Sequence, residues 1–143
     1  MIKLSHIQSF IMSFLITSLL ILLFVYIFII AYLYLFQRNI IYFPAREMVE
    51  PHHYGLKMEE ITLTTTDRVN ITAWHAPPTK KVKTTLIYFH GNAGNLADRA
   101  EKLQSFLDTG MGVLAISYRG FGSSEGSPSE EGLYNDARSA IQY

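Results

Sequence analysis

The chain contains no cysteine. That excludes a disulfide framework and any thiolate metal site, and it leaves the redox compartment open. Net charge is also missing, since 12 Lys and Arg balance 12 Asp and Glu over 143 residues. A nucleic-acid-binding face needs a basic excess, so no nucleic-acid partner is expected. The five His are scattered, without the spacing to carboxylates that a metal site uses, so neither a metal nor another cofactor is expected. The length fits one small domain. The most telling absence is local: from Ile7 to Phe36 there is no Asp, Glu, Lys or Arg.

A helix needs about 20 apolar residues to cross a bilayer, and this run exceeds that. From Leu15 to Phe36 it is almost all Leu, Ile, Phe, Val and Tyr. Each central Leu, Ile or Phe favours insertion by about 0.3–0.6 kcal/mol. Tyr32 and Tyr34 near the far end, followed by Arg38, make an aromatic belt and a charged stop. A cleaved signal peptide would have an apolar region of about 7–15 residues and a small-residue cleavage site. This run is longer and no such site follows, so residues 1–38 read as an uncleaved single-pass membrane anchor. Lys3 lies before the span, and Arg38 and Arg46 after it. A margin of one basic residue does not decide which side the rest of the chain faces.

Residues 39–57 read as an extended linker, because Pro44, Pro51 and Gly55 break any helix. From 58 onward the pattern changes. Ile61, Leu63 and Thr65 alternate with polar residues, as do Val69, Ile71 and Ala73, which predicts a hairpin about Thr66-Asp67-Arg68. "TTLIYFH" is a continuous apolar run that suits a strand buried on both faces of a parallel sheet. Leu96, Ala100, Leu103, Phe106 and Leu107 then share one helical stripe, with Asn95 as cap, Asp98 in the first turn and Gly110 as stop. "VLAISY" is a second buried strand, so the unit is strand, loop, helix, strand, a right-handed parallel crossover. After the loop "RGFGSSEG", Ser127 is expected to open a last helix, with Pro128 in its first turn and Glu130 three residues on. Leu133, Ala137, Ala140 and Ile141 form its stripe.

In open α/β sheets, ligands bind beyond the carboxyl ends of the strands. "HGNAGN", His90 to Asn95, lies at such an end and leads into a helix. Gly91 and Gly94 allow a sharp turn with exposed N–H groups. Two chemistries fit: a phosphate at a helix N-terminus, or an oxyanion hole for acyl transfer. The phosphate reading lacks a G-K-[ST] sequence, and "GFGSSEG" carries Glu125 where a dinucleotide fingerprint needs its third Gly. His90 reads equally as a packed strand-end His holding a backbone group. Arg119 reads equally as a structural ion-pair partner. His52, His53 and His75 read as surface or linker residues. Gly122 to Gly126 formally matches G-x-S-x-G, but a nucleophile elbow needs a tight strand-to-helix turn. Ser124 sits in a long loop and reads as a solvated loop serine.

The apolar span, "FQRNIIYFPA", the hairpin, "LIYFHGNAGN" and "ISYRGFGSSEGSPSEEGLYNDARSAI" occur in that order. Together they resemble the N-terminal half of a membrane-anchored α/β-hydrolase-fold serine hydrolase, of the alpha/beta hydrolase domain-containing type with an HGNAGN loop. The resemblance covers nearly the whole chain. It implies an α/β fold in which the anchor precedes an antiparallel hairpin and then a parallel strand-helix-strand, so that 58–143 is an incomplete α/β-hydrolase domain. It also implies ester, thioester or amide hydrolysis by a Ser-Asp-His triad. Asn92 and Ala93 would supply the oxyanion N–H, His90, Gly91 and Gly94 would shape its turn, and Arg119, Gly120 and Gly122 would form the neighbouring loop.

The triad order would be Ser, then Asp or Glu, then His, so all three are expected beyond Tyr143. The expectation is therefore a truncated or split hydrolase, inactive alone, in the membrane lipid bilayer. The alternative is a non-catalytic membrane protein whose half-fold docks to a partner chain, for which a separately made C-terminal hydrolase half is one candidate.

Overall fold

The computed structural model describes residues 4–143, which divide into two compact units, one ending at Ile40 and one spanning Ile41–Tyr143. The first is a single helix, α1 (Leu4–Ile41). At 1.5 Å per residue its 38 residues extend for about 57 Å, well beyond the roughly 30 Å hydrocarbon core of a bilayer. The segment His6–Ile41 is apolar enough to cross a membrane, with a mean hydropathy of 3.0 in its most apolar window and none of that window buried. Its Leu, Ile and Phe side chains point outward all round the helix. A helix apolar on every face is what lipid, rather than water, stabilises.

The second unit is built on a four-stranded sheet in the order β2-β3-β6-β4. β2 (Glu59–Thr64) and β3 (Asn70–Ala76) form the antiparallel hairpin, with Glu59 opposite His75 and Thr64 opposite Asn70. Arg68 in the turn adopts φ 63°, and Thr65 closes the turn by exchanging bonds with Val69. β3 pairs antiparallel with β6 (Gly112–Ile116), and β6 pairs parallel with β4 (Thr85–Phe89). The crossover from β4 to β6 runs through α2 (Ala100–Leu107). The last helix, α3 (Glu130–Gln142), covers the other face.

Because side chains alternate across a strand, β6 feeds two cores. Val113 and Ala115 join Trp74, Ala76, Leu96 and Leu103 beneath α2. Leu114 and Ile116 join Leu63, Ile71, Ala73 and Ala140 on the α3 side. The buried Trp74 indole donates to the Glu60 carboxylate at 3.2 Å.

Four expectations are corrected. β4 is not buried on both faces: Leu86, Ile87 and Tyr88 are half-buried, because β4 is the end strand with β6 as its one neighbour. The helical stripe after "HGNAGN" starts as a 3-10 turn, Ala97–Arg99, before α2 proper. Leu96, not Asn95, holds its cap position; Asn95 sits one residue earlier and accepts from the Ala97 N–H at 2.9 Å, while Asp98 accepts from the Asn95 N–H at 3.0 Å. The cap of α3 is Ser129, not Ser127; its hydroxyl accepts from the Gly132 N–H at 3.2 Å. The linker is not merely extended, since β1 (Phe43–Pro44) pairs parallel with β5 (Ala93–Gly94), and a 3-10 turn spans Pro51–Tyr54.

Candidate functional site

The turn after β4 lies at the carboxyl end of the strand, and the carbonyls of Gly91 to Gly94 are claimed. The Gly91 carbonyl accepts from His90 Nδ1 at 2.6 Å. The Asn92 carbonyl accepts from the Phe43 N–H at 2.8 Å, and the Gly94 carbonyl from the Ala45 N–H at 3.0 Å. Strand alternation turns the Ala93 carbonyl and N–H away from β1, and Arg99 Nη2 takes that carbonyl at 3.2 Å. The Asn92 N–H, by contrast, has no acceptor among the described residues, and the Ala93 N–H is not used by the β1 ladder. Both residues are exposed. Two successive backbone donors therefore stand free at the end of β4.

The side chains brace this turn from below. Asn92 Nδ2 donates to the Ile41 carbonyl at 2.6 Å, and the buried Asn95 donates to the Glu47 carbonyl at 2.7 Å. Gly94 has φ +77°, and a Cβ there would occupy the space of the Asp98 carboxylate that holds Asn95. Gly91 is exposed, and a Cβ there would meet nothing within 4 Å. Of the two glycines, only Gly94 is required by the backbone and the packing.

His90 is buried, with its ring edge-on to Phe121 (4.9 Å between centroids) and to Tyr118 (5.1 Å). Its Nε2 accepts from the Tyr118 N–H at 3.2 Å. Burial pushes its pKa below the usual 6.5, and Arg99 adds to this, against the opposing Gly91 bond and Asp98 charge. The packed strand-end reading of His90 matches this geometry. Burial likewise raises the pKa of Tyr118, helped by Asp136.

Arg119, read equally as a residue of the neighbouring loop and as an ion-pair partner, forms a buried ionic clamp. Its Nε and Nη2 donate to Asp136 at 2.9 and 2.8 Å, and Nη1 and Nη2 grip Asp67 at 2.7 and 3.0 Å. Its backbone N–H also donates to Asp136, at 2.9 Å. The Asp67 hydrogen bond raises the Arg119 pKa further, and the guanidinium holds the Asp67 carboxyl well below the usual range. Gly132 lets α3 pass the guanidinium, since a Cβ there would lie 2.5 Å from Arg119 Cδ. Gly120 and Gly122 are buried within the same loop, and the Gly122 N–H donates to the Ala45 carbonyl at 2.8 Å. That loop meets His90 through Phe121. Ser124 is also corrected: it is 1% exposed, not solvated. Its hydroxyl donates to the Ser117 carbonyl at 2.6 Å and accepts from the Thr72 N–H at 2.9 Å.

Sequence reasoning missed Phe43 and Ala45, whose N–H groups fix the turn, and Phe121, which walls His90. The one available signal was the alternation of Tyr42 to Ala45, too short to separate from linker.

The sheet order and the crossover make this second unit the opening part of an α/β-hydrolase fold, and an esterase from Pyrococcus furiosus superposes on it with a TM-score of 0.58 at 21% identity, over 71% of this chain and 40% of that one. No family model matches the chain. Protein bem46 of Schizosaccharomyces pombe is 37% identical over 123 residues, 80% of this chain and 41% of its own length. The alpha/beta hydrolase domain-containing protein WAV2 of Arabidopsis thaliana is 32% identical over 122 residues, 80% of this chain and 40% of its own. An uncharacterized membrane protein of Saccharomyces cerevisiae is 38% identical over 120 residues, 80% of this chain and 42% of its own. The chain belongs to the α/β-hydrolase family of these proteins. It spans about two fifths of the length of the curated relatives it matches.

Proposed function

We propose that the chain is the N-terminal portion of a single-pass, membrane-anchored serine hydrolase acting on an ester, thioester or amide, and that Asn92 and Ala93 contribute to its oxyanion hole. One observation carries this reading: the two free N–H groups at the end of β4, with the carbonyls around them already held. A tetrahedral intermediate develops charge on an oxygen, and donors fixed in advance stabilise it without reorganising. A second N–H would come from the residue after a nucleophile, in the part of the fold that the relatives carry beyond the matched span. Ser124 is not that nucleophile, because its hydroxyl is buried and committed at both ends.

A second reading has its own observation. The outer edge of β4 is unpaired and its Leu86, Ile87 and Tyr88 are only half covered. An open apolar strand is a template for another strand, which supports a non-catalytic docking role or completion by a separate C-terminal half.

Fluorophosphonate labelling of membranes from cells producing the tagged chain tests both. Labelling of a longer product, or of a co-purifying polypeptide with a nucleophile elbow, supports the hydrolase reading. Co-purification without any labelling favours docking alone. Labelling of the 143-residue chain itself, lost in Ser124→Ala, overturns the account of Ser124.

A further inference from the structure

The imidazole of His90 has a determined proton position. The Tyr118 N–H can only donate, so Nε2 must present a lone pair; the Gly91 carbonyl can only accept, so the proton sits on Nδ1. The neutral Nδ1–H form is the one state that satisfies both neighbours. In the imidazolium, Nε2–H would oppose the Tyr118 N–H, two donors head to head.

The consequence lies one bond further on. A trans peptide is planar, so the C=O of Gly91 and the N–H of Asn92 point in opposite directions on one rigid plate. Whatever holds that carbonyl aims that N–H. We propose that His90 is a positioning residue: by donating from Nδ1 to the Gly91 carbonyl, it turns the Asn92 N–H outward, where the oxyanion donor of the proposed hydrolase is required. This rests on the reading given under Proposed function, and it names the residue that orients its donor. His90 itself touches no reacting atom; it acts through the Gly91–Asn92 peptide.

The surroundings make the device dependent on protonation. His90 faces Tyr118 and Phe121 from the loop after β6, and Asp98 and Arg99 from the 3-10 turn. Burial and Arg99 disfavour the charged ring, while Asp98 favours it. Acidification past the His90 transition removes the acceptor for Tyr118 and loosens the ring that grips Gly91.

Heteronuclear NMR of the full chain in lipid nanodiscs tests the proposal. The His90 ring nitrogens are expected to report the Nδ1–H tautomer at neutral pH. The Asn92 amide resonance is expected to move with pH at the same inflection as the His90 ring. In His90→Asn, whose side-chain amide can still donate to Gly91, the neutral-pH Asn92 position is retained and the inflection is lost. In His90→Phe, which keeps the ring volume but no donor, the position changes while the Val113 and Ile116 amides stay in place. An Nε2–H tautomer, or an Asn92 amide flat through the His90 titration, overturns the proposal. If His90→Phe does not fold, the wild-type titration and His90→Asn decide alone. These outcomes are read without catalysis. A failed labelling experiment beside a positive NMR result would remove the hydrolase reading and keep the role of His90.

Discussion

Asp136 lies on α3, fully buried and bound three times by Arg119. Removing one partner of a buried ion pair leaves an uncompensated charge, and Asp136→Ala is expected to cost about 3–5 kcal/mol in denaturant unfolding. Asp67 binds the same guanidinium, but its side chain is 40% exposed, so water screens the loss and Asp67→Ala is expected to cost about 1 kcal/mol. Equal costs would mean that the clamp is shared evenly. Ser124→Ala strands a buried Thr72 N–H and the Ser117 carbonyl, and is expected to destabilise by about 1–3 kcal/mol. Its dual hydrogen bonding was illegible in the sequence, because a Ser between polar residues looks identical whether its loop folds inward or outward. Arg119 was half legible: its charge called for a partner, but Asp67 is 52 residues away. His90 gives the pH dependence. Its folded pKa is depressed, so the unfolded chain takes up the proton first. Its contribution to stability is complete above about pH 6.5 and is lost as pH falls through the folded pKa. His90→Phe is expected to flatten that part of a urea-midpoint against pH curve. The Asp67 contribution, by the same sign, is lost only at a lower pH, below the ordinary carboxylate range.

At the level of the element, strand and helix identities follow from periodicity, whereas their depth does not. β4 and β6 carry similar apolar runs, yet β6 is fully buried and β4 is half open. The difference comes from neighbour count: β6 lies between β3 and β4, and β4 has β6 alone. A run of Leu, Ile and Tyr states that a strand can be covered, not what covers it. The start of α3 is a second case. Ser127, Pro128, Ser129 and Glu130 offer two candidate caps, and the spacing of Ser127 and Glu130 favours the first by pattern. The structure uses Ser129, which lies in extended backbone and reaches the Gly132 N–H three residues on. Thermal unfolding separates the two: Ser129→Ala is expected to cost about 1 kcal/mol, and Ser127→Ala close to none. The free donors of the candidate site were legible as a Gly-bearing turn at a strand end. Their direction was not, because His90 holds the Gly91 carbonyl and Phe43, some fifty residues earlier in the chain, holds the Asn92 carbonyl.

For the whole molecule, the decisive feature is that its two units present different surfaces. The Ile41–Tyr143 unit buries Trp74, Leu96 and Ile71 against its own helices, while α1 leaves nearly every Leu, Ile and Phe side chain exposed. In water that surface would be untenable, and in a bilayer it supplies the insertion energy. The margin can be measured residue by residue. Central Leu, Ile and Phe contribute about 0.3–0.6 kcal/mol each, and an Arg at the centre costs about 2.5–3.5 kcal/mol. With the uncharged run reaching from Ile7 to Phe36, the helix can also slide so that a single Arg approaches the interface, where its long side chain reaches the headgroups. Leu20→Arg alone is therefore expected to leave the chain floating with the lipid in a density gradient. Leu20→Arg combined with Phe24→Arg places two charges one helical turn apart on the same face, at a joint cost of about 5–7 kcal/mol, and sliding cannot carry both to one interface. The double variant is expected to leave the lipid fraction. If the single variant already sinks, α1 is held in the membrane by less than its composition provides, and a span that marginal would not serve as an anchor.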